Sequence, residues 1–405
     1  MAVSFFNELK EVWSRQKKNW KTVVTRQIFN RFFNELTLQY ANIYITLLGA
    51  SPIQLGAVNS AWGFAQSLIS LPLGMIRDRF NIRKIYLFGV ALTILEPLLY
   101  AVAPNWQVVS LAILVSGLGM MVGSCVLICD LSLPPQDRAT GKALCEGTGA
   151  TPTILAPTVA AVLLTALGGI SLQSIRSLYW IQFIARLLLF FYAYRNLTDI
   201  ERPNNVPKKV DILKEFGEVF ERGTAVKRWI LFQSINMFTM TMLVTFRYPY
   251  IYDVKGASQY LIGGIATTML ITEAIFSTVI GRFADKVGRK KAFYILIPLF
   301  SAANLVMIYA PTPNWLLLAG FLMGFRMIAS VSYGSMTPEL VPPECMGRWR
   351  GILGFFSGLA CIPAPIIGGL IWENFGPECV FITVTAIDLL IRTPLLYTIP
   401  ETLKK

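Results

Sequence analysis

The chain has 405 residues, 54% of them apolar and only 15% charged, with a mean hydropathy of +0.55. A soluble domain carries about 25% charged residues, so the composition excludes a disordered chain and argues against an ordinary cytosolic enzyme. The net charge is +13, but the basic residues sit in short connections between apolar runs, which reads as membrane topology rather than nucleic-acid binding.

A helix needs roughly 20 apolar residues to cross the hydrocarbon core. Twelve such segments are predicted, over 23–49, 53–74, 84–103, 106–131, 142–168, 172–195, 228–251, 258–281, 290–310, 314–338, 348–371 and 378–399. Long continuous apolar runs exclude the alternating ten-residue strands of a membrane β-barrel. Before the first segment, Phe5, Leu9, Val12, Trp13 and Trp20 recur at helical spacing among Lys and Arg. That pattern predicts an amphipathic segment over 1–21, lying on the membrane surface. Residues 196–227 form the longest polar stretch and contain a second such pattern, Ile212, Leu213, Phe216, Val219 and Phe220. This linker separates an N-terminal bundle, 22–195, from a C-terminal bundle, 228–399, which is followed by a tail, 400–405.

Lys and Arg concentrate in the N-terminal tail, in every even-numbered connection and at the C-terminus; Lys255 is the clear exception. Basic connections stay in the cytoplasm, so both termini are expected there. Cys125, Cys129, Cys145, Cys345, Cys361 and Cys379 mostly lie within or beside apolar runs. The chain has no histidine and no Cys-x-x-Cys pair, so no zinc site, disulfide framework or cofactor is implied.

The chain repeats itself. Pro104-Asn105-Trp106 returns as Pro313-Asn314-Trp315, Pro134-Pro135 as Pro342-Pro343, and Arg138-Ala139-Thr140-Gly141 as Arg348-Trp349-Arg350-Gly351. The offset is about 210 residues, six helices, so the halves run parallel about an axis along the membrane normal. The second connection reads Gly74-Met75-Ile76-Arg77-Asp78-Arg79-Phe80-Asn81-Ile82-Arg83-Lys84. The eighth reads Gly281-Arg282-Phe283-Ala284-Asp285-Lys286-Val287-Gly288-Arg289-Lys290-Lys291. Both resemble the loop signature of the major facilitator superfamily, Gly-x-x-x-Asp-Arg/Lys-x-Gly-Arg/Lys-Arg/Lys. The second copy fits throughout. The first departs at Asn81, where the family has Gly, and at Ile82, where it has a basic residue.

The resemblance implies an all-α polytopic fold of twelve transmembrane helices in two parallel six-helix repeats, and a transporter rather than an enzyme. It also implies a cytoplasmic gating latch, closed in the outward-open state. Its candidates are Gly74, Asp78, Arg79, Arg83, Asp130, Gly281, Asp285, Lys286, Gly288, Arg289 and Glu339. Glycine allows a sharp turn, an Asp near a helix N-terminus gains from the dipole, and Arg can pair with Asp130 or Glu339 at the ends of segments four and ten. The bland alternative is that these charges only set topology.

A charge at a helix centre costs about 2.5–3.5 kcal/mol on insertion scales. Arg31 and Glu35 share a face of segment one; Arg247, Glu273 and Arg326 lie on segments seven, eight and ten. Segments one, four, seven and ten line the family's central cavity, with parts of two, five, eight and eleven. All five residues are therefore candidates for substrate or proton binding. Alternatively, Arg31 and Glu35 neutralise one another and Arg247 snorkels outward. Without histidine a proton carrier must be a carboxylate, which favours Glu35 and Glu273. Arg186, Arg392 and Asp388 read as structural, with Asp388 pairing to Arg392, while Glu96 has no evident role. Ala156-Pro157 in segment five and Ala364-Pro365 in segment eleven resemble degraded and better copies of the family's antiporter motif.

The expectation is a monomeric secondary transporter that exports small amphipathic compounds against protons across the lipid bilayer. Proton-coupled uptake or exchange of an organic anion on Arg31 and Arg326 is the alternative. A membrane receptor or scaffold on a transporter fold would be a different class, and no constellation supports a membrane enzyme.

Overall fold

The computed structural model describes residues 13–70, 81–122, 128, 132–133, 150–199, 224–341 and 346–401. Gly74, Asp78, Arg79, Asp130, Cys125, Cys129, Cys145, Cys345, the proline pairs 134–135 and 342–343 and the amphipathic linker pattern of Ile212, Leu213, Phe216, Val219 and Phe220 lie outside these residues, as do Phe5, Leu9 and Val12.

The described residues are helical, with no strand among them. In the first half the helices are α1 (Lys18–Leu38), α2 (Ala41–Leu47), α3 (Pro52–Ser70), α4 (Ile82–Val102), α5 (Trp106–Val122), α6 (Ala150–Ala166) and α7 (Leu172–Asn196). The second half has α8 (Thr224–Pro249), α9 (Gln259–Val287), α10 (Arg289–Tyr309), α11 (Leu316–Glu339), α12 (Met346–Cys361), α13 (Pro363–Phe375), α14 (Pro377–Ala386) and α15 (Thr393–Tyr397). Among the described residues, seven helical stretches are long and apolar enough to cross a membrane, with shorter apolar helices over Trp106–Gly119, Pro152–Ala166 and Pro313–Ala329.

Several boundaries differ from the sequence reading. The first apolar segment breaks at Gln39–Tyr40, so α1 and α2 together cover it. Lys18 to Lys21 already belong to α1, and Trp20 is buried there against Trp13 rather than lying on a membrane surface. Segment eleven breaks before Pro363, whose ring removes a backbone donor. Segment twelve contains a π-helical turn, Ile387–Arg392, between α14 and α15.

The packing in one half repeats in the other. α1 packs on α6 and α7, α3 on α5, and α4 on α5 and α7. Correspondingly, α8 packs on α12, α13 and α14, α9 on α11, and α10 on α11 and α14. The halves meet along two seams, α3 with α12 and α13, and α6 with α9.

Both seams are closed by small residues. A Cβ on Gly56 of α3 would overlap the carbonyl of Pro365 in α13. A Cβ on Gly263 of α9 would stand 2.7 Å from the carbonyl oxygen of Pro157 in α6. The two proline motifs thus occupy equivalent places, each with its carbonyl against a glycine of the opposite half. Without a hydrophobic driving force between helices in lipid, such close backbone approach carries the packing. Polar bonds cross the seams as well: Ser60 Oγ donates to the carbonyl of Ile362 at 2.5 Å, and Thr158 and Thr267 share a bond of 3.0 Å.

Candidate functional site

The break between α1 and α2 places a run of polar side chains between the halves. Asn42 Nδ2 donates to the carbonyl of Val244 in α8 at 3.1 Å and accepts from Asn59 of α3 at 3.0 Å. The Tyr40 hydroxyl donates to the carbonyl of Gln259 at the start of α9, at 3.2 Å. Ile53 N–H donates to Glu373 of α13 at 3.1 Å. These bonds seal the end of the bundle that carries connections 48–51 and 255–258.

Glu35 lies one turn before that seal and accepts a 3.0 Å bond from Gln39 Nε2. It is within electrostatic reach of Glu273, Arg247 and Arg31, and Glu273 is within reach of Arg31. Four of the five cavity candidates are therefore one group of charges, drawn from α1, α8 and α9. The Arg247 side chain does not snorkel: the residue is 8% exposed. Its Nη1 faces the sulfurs of Met269 at 3.7 Å and Met323 at 3.8 Å, and its Tyr248 neighbour lies under the guanidinium at 4.7 Å.

Arg326, the fifth candidate, belongs elsewhere. Its Nη1 donates to Asp388 Oδ2 at 2.8 Å and its Nη2 to Thr239 Oγ1 at 2.8 Å. Arg392 Nη1 donates to Asp388 Oδ1 at 2.6 Å, as the sequence spacing suggested. Asp388 and Arg392 are fully buried, and the ring of Phe300 stacks near both guanidiniums. A charge so deep is tolerable only when paired and hydrogen-bonded, and the π-helical turn between α14 and α15 brings Asp388 and Arg392 to that point. Arg326 is thus a tie between α11, α8 and the turn after α14, not a side chain held open for cargo.

The other half holds a matching cluster with the acid moved. Arg186 of α7 donates to Glu96 of α4 at 2.7 Å and to Asn34 of α1 at 2.9 Å, while Ser116 of α5 donates to Glu96 at 2.6 Å. Gln182 stands where Asp388 stands in the repeat, and Thr37 donates to it at 3.0 Å as Thr239 does to Asp388 at 3.1 Å. Glu96, unexplained in sequence, is the counter-ion of Arg186. The equivalent place in α10 is Ala303, and its neighbour Asn304 donates to Thr385 at 3.0 Å. The sequence signal for Gln182 replacing Asp388 was the repeat register itself, which also pairs Arg186 with Arg392.

The eighth connection differs from its expected form. α9 runs through Gly281 to Val287, and the turn falls at Gly288, whose φ of +131° needs glycine. Asp285 therefore sits at a helix C-terminus, where the dipole is unfavourable, and Arg289 offsets it at 3.4 Å. Lys286 shares that last turn, where a cation suits the dipole. Arg289 also reaches Glu339 at 2.9 Å, bringing together the pair foreseen across α10 and α11. Both residues lie in the same half.

Glu401 was missed in the sequence. Its carboxylate accepts from the backbone N–H groups of Arg289 and Lys290 at 3.2 and 3.1 Å, capping α10, because Gly288 has no side chain to do so.

In the second connection Asn81 replaces that glycine, with extended backbone (φ −59°, ψ 126°) rather than a left-handed turn. Its own Oδ1 caps α4, accepting from Arg83 and Lys84 N–H at 2.9 and 3.3 Å. Arg83 lies 3.8 Å from Asp199 and donates to the Tyr194 carbonyl at 3.1 Å. Ile82, where the family has a basic residue, is buried in an apolar cluster with Val23, Tyr86 and Ala193.

The repeated packing, the glycine–proline seams and the two signature loops agree with a sequence comparison. The profile of the Major Facilitator Superfamily matches residues 27–266 and 229–405. The chain belongs to this superfamily. A multi-drug resistance efflux pump PmrA homolog of Lactococcus lactis is 24% identical over 369 residues, covering 87% of this chain and 89% of that protein. The MFS-type transporter SLC18B1 of Mus musculus is 26% identical over 174 residues, 41% of this chain but only 37% of that relative. Among solved structures, the nucleoside transporter NupG superposes with a TM-score of 0.72 at 15% identity, covering 94% of this chain and 100% of that one. At that identity the likeness shows the fold alone. The chain is thus a multi-pass membrane protein of a transporter family.

Proposed function

We propose that this protein is a secondary active transporter that exports small amphipathic compounds in exchange for protons, by alternating access between two six-helix bundles. In this reading twelve helices span the cell membrane, both termini are cytoplasmic, and the monomer is the working unit. One observation carries it. Glu35 of α1 and Glu273 of α9, one carboxylate from each half, lie within electrostatic reach of each other in a chain without histidine. A pair of carboxylates spanning the moving seam can exchange protons for a cargo that carries a cationic group as the halves rock. The likeness to an efflux pump homolog over most of the chain supports the export direction.

With basic connections in the cytoplasm, the end sealed by Tyr40 and Asn42 is the outer end. The Arg289–Glu339 pair then lies at the cytoplasmic end, tying α10 to α11 as part of a latch that holds one half rigid while the halves rock. The lipid bilayer and a small-molecule cargo are the only partners this reading requires.

The test is flux of ethidium into proteoliposomes under an imposed pH gradient. The gradient should drive wild-type uptake, and Glu35→Gln and Glu273→Gln should each reduce driven uptake at least tenfold. Flux that ignores the gradient, or survives both substitutions, would overturn the reading.

A further inference from the structure

The buried guanidinium of Arg247 has no role in the proton exchange just proposed. Guanidinium carries five N–H donors and, unlike lysine, stays charged in any protein environment. Here Nη1 meets two thioether sulfurs, which are weak acceptors, and Nε is buried with no hydrogen-bond partner. Tyr248 supplies its ring face and lies beside the head group. No carboxylate of the described residues comes within ion-pair distance, although Arg186, Arg289, Arg326 and Arg392 each have one. Burying a charge without a carboxylate in contact is costly, and one reason to keep such a charge is a ligand that completes it.

The surroundings define that ligand. Met269 of α9 and Met323 of α11 flank the head group, and flexible polarisable thioethers suit an apolar body of variable shape. Glu35, the first carboxylate of the proposed exchange site, is within electrostatic reach of the same guanidinium. With both acids ionised, Glu35 and Glu273 balance Arg31 and Arg247 in formal charge. A cargo with only a positive charge would upset that balance and leave the Arg247 donors unused. A cargo with both signs preserves it.

We infer that the exported compound is zwitterionic: an apolar body with an amine that faces Glu35 and Glu273 and an acidic group, carboxylate or sulfonate, that docks on Arg247 between Met269 and Met323. This rests on the exchange site proposed above and specifies its cargo.

The experiment compares three ligands of one body: homophenylalanine, its decarboxylated analogue phenylpropylamine and its deaminated analogue phenylbutanoate. Binding to purified protein is measured by calorimetry on wild type, Arg247→Lys and Arg247→Met. Homophenylalanine should bind at least tenfold tighter than either analogue. That advantage over the amine should vanish in Arg247→Met and persist in part in Arg247→Lys. Arg247→Met without ligand should melt at or above the wild-type temperature, because it removes an unsatisfied buried charge. Equal binding of zwitterion and amine, an advantage that survives Arg247→Met, or a lower melting temperature or failure to fold of that variant would each overturn the inference. Ethidium flux driven by the pH gradient is a separate readout, so failure here leaves the exchange proposal standing, and failure there is seen independently.

Discussion

Replacing Asp388 by Asn isolates what the buried cluster of the second half contributes. The carboxylate accepts from Arg326 at 2.8 Å, Arg392 at 2.6 Å and Thr239 at 3.1 Å, and it has no exposed surface. The amide keeps the shape and one acceptor oxygen but removes the charge, so two buried guanidiniums face a neutral group. Breaking a buried pair in this way costs about 3–5 kcal/mol. For a unit of about 200 residues, each kcal/mol lowers the melting temperature by about 2–4 °C. The expected fall is therefore about 6–20 °C, read by intrinsic fluorescence of detergent-purified protein.

Glu96→Gln is the internal comparison. Its side chain is 23% exposed and partners one arginine, Arg186, so water screens part of the loss. The cost should be about 1–2 kcal/mol, a fall of a few degrees. The double variant Asp388→Asn, Arg326→Met should recover part of the loss, because it removes one of the stranded charges. An Asp388→Asn protein that melts within about 2 °C of wild type, or one less affected than Glu96→Gln, would refute the argument.

Three further outcomes follow from the geometry. Gly56→Val should lower transport at least tenfold and loosen the fold, since even a Cβ there overlaps the Pro365 carbonyl; Gly281→Ala should leave the melting temperature unchanged, because nothing lies within 4 Å of its added Cβ. Asn81→Ala and Glu401→Ala each remove a helix cap and should cost about 0.5–2 kcal/mol by thermal unfolding; two unaffected variants would show that water caps these ends equally well. Arg289→Ala and Glu339→Gln should be non-additive by about 0.5 kcal/mol or more in a double-variant cycle; strict additivity would mean that their 2.9 Å contact carries no energy.

Much was legible along the chain because lipid imposes simple rules. Hydrocarbon admits only apolar stretches with internally paired backbone, so the helical class, the membrane environment and the superfamily followed from hydropathy and two signature loops. The spacing of Asp388 and Arg392, one helical turn apart, announced their pairing. Partners on different helices were not legible. Glu96 had no meaning until α4 met α7 at Arg186. Arg326 resembled a cavity residue until α11 met the π-helical turn at Asp388. Asn81 read only as a departure from the family's glycine, whereas it is the cap that Glu401 supplies, from over a hundred residues away, in the other half. A side chain's type and its place in a helix are local properties and can be read from sequence. Whether a buried charge is already paired, or left for a ligand as at Arg247, depends on which helices pack against it, and that only the tertiary structure decided.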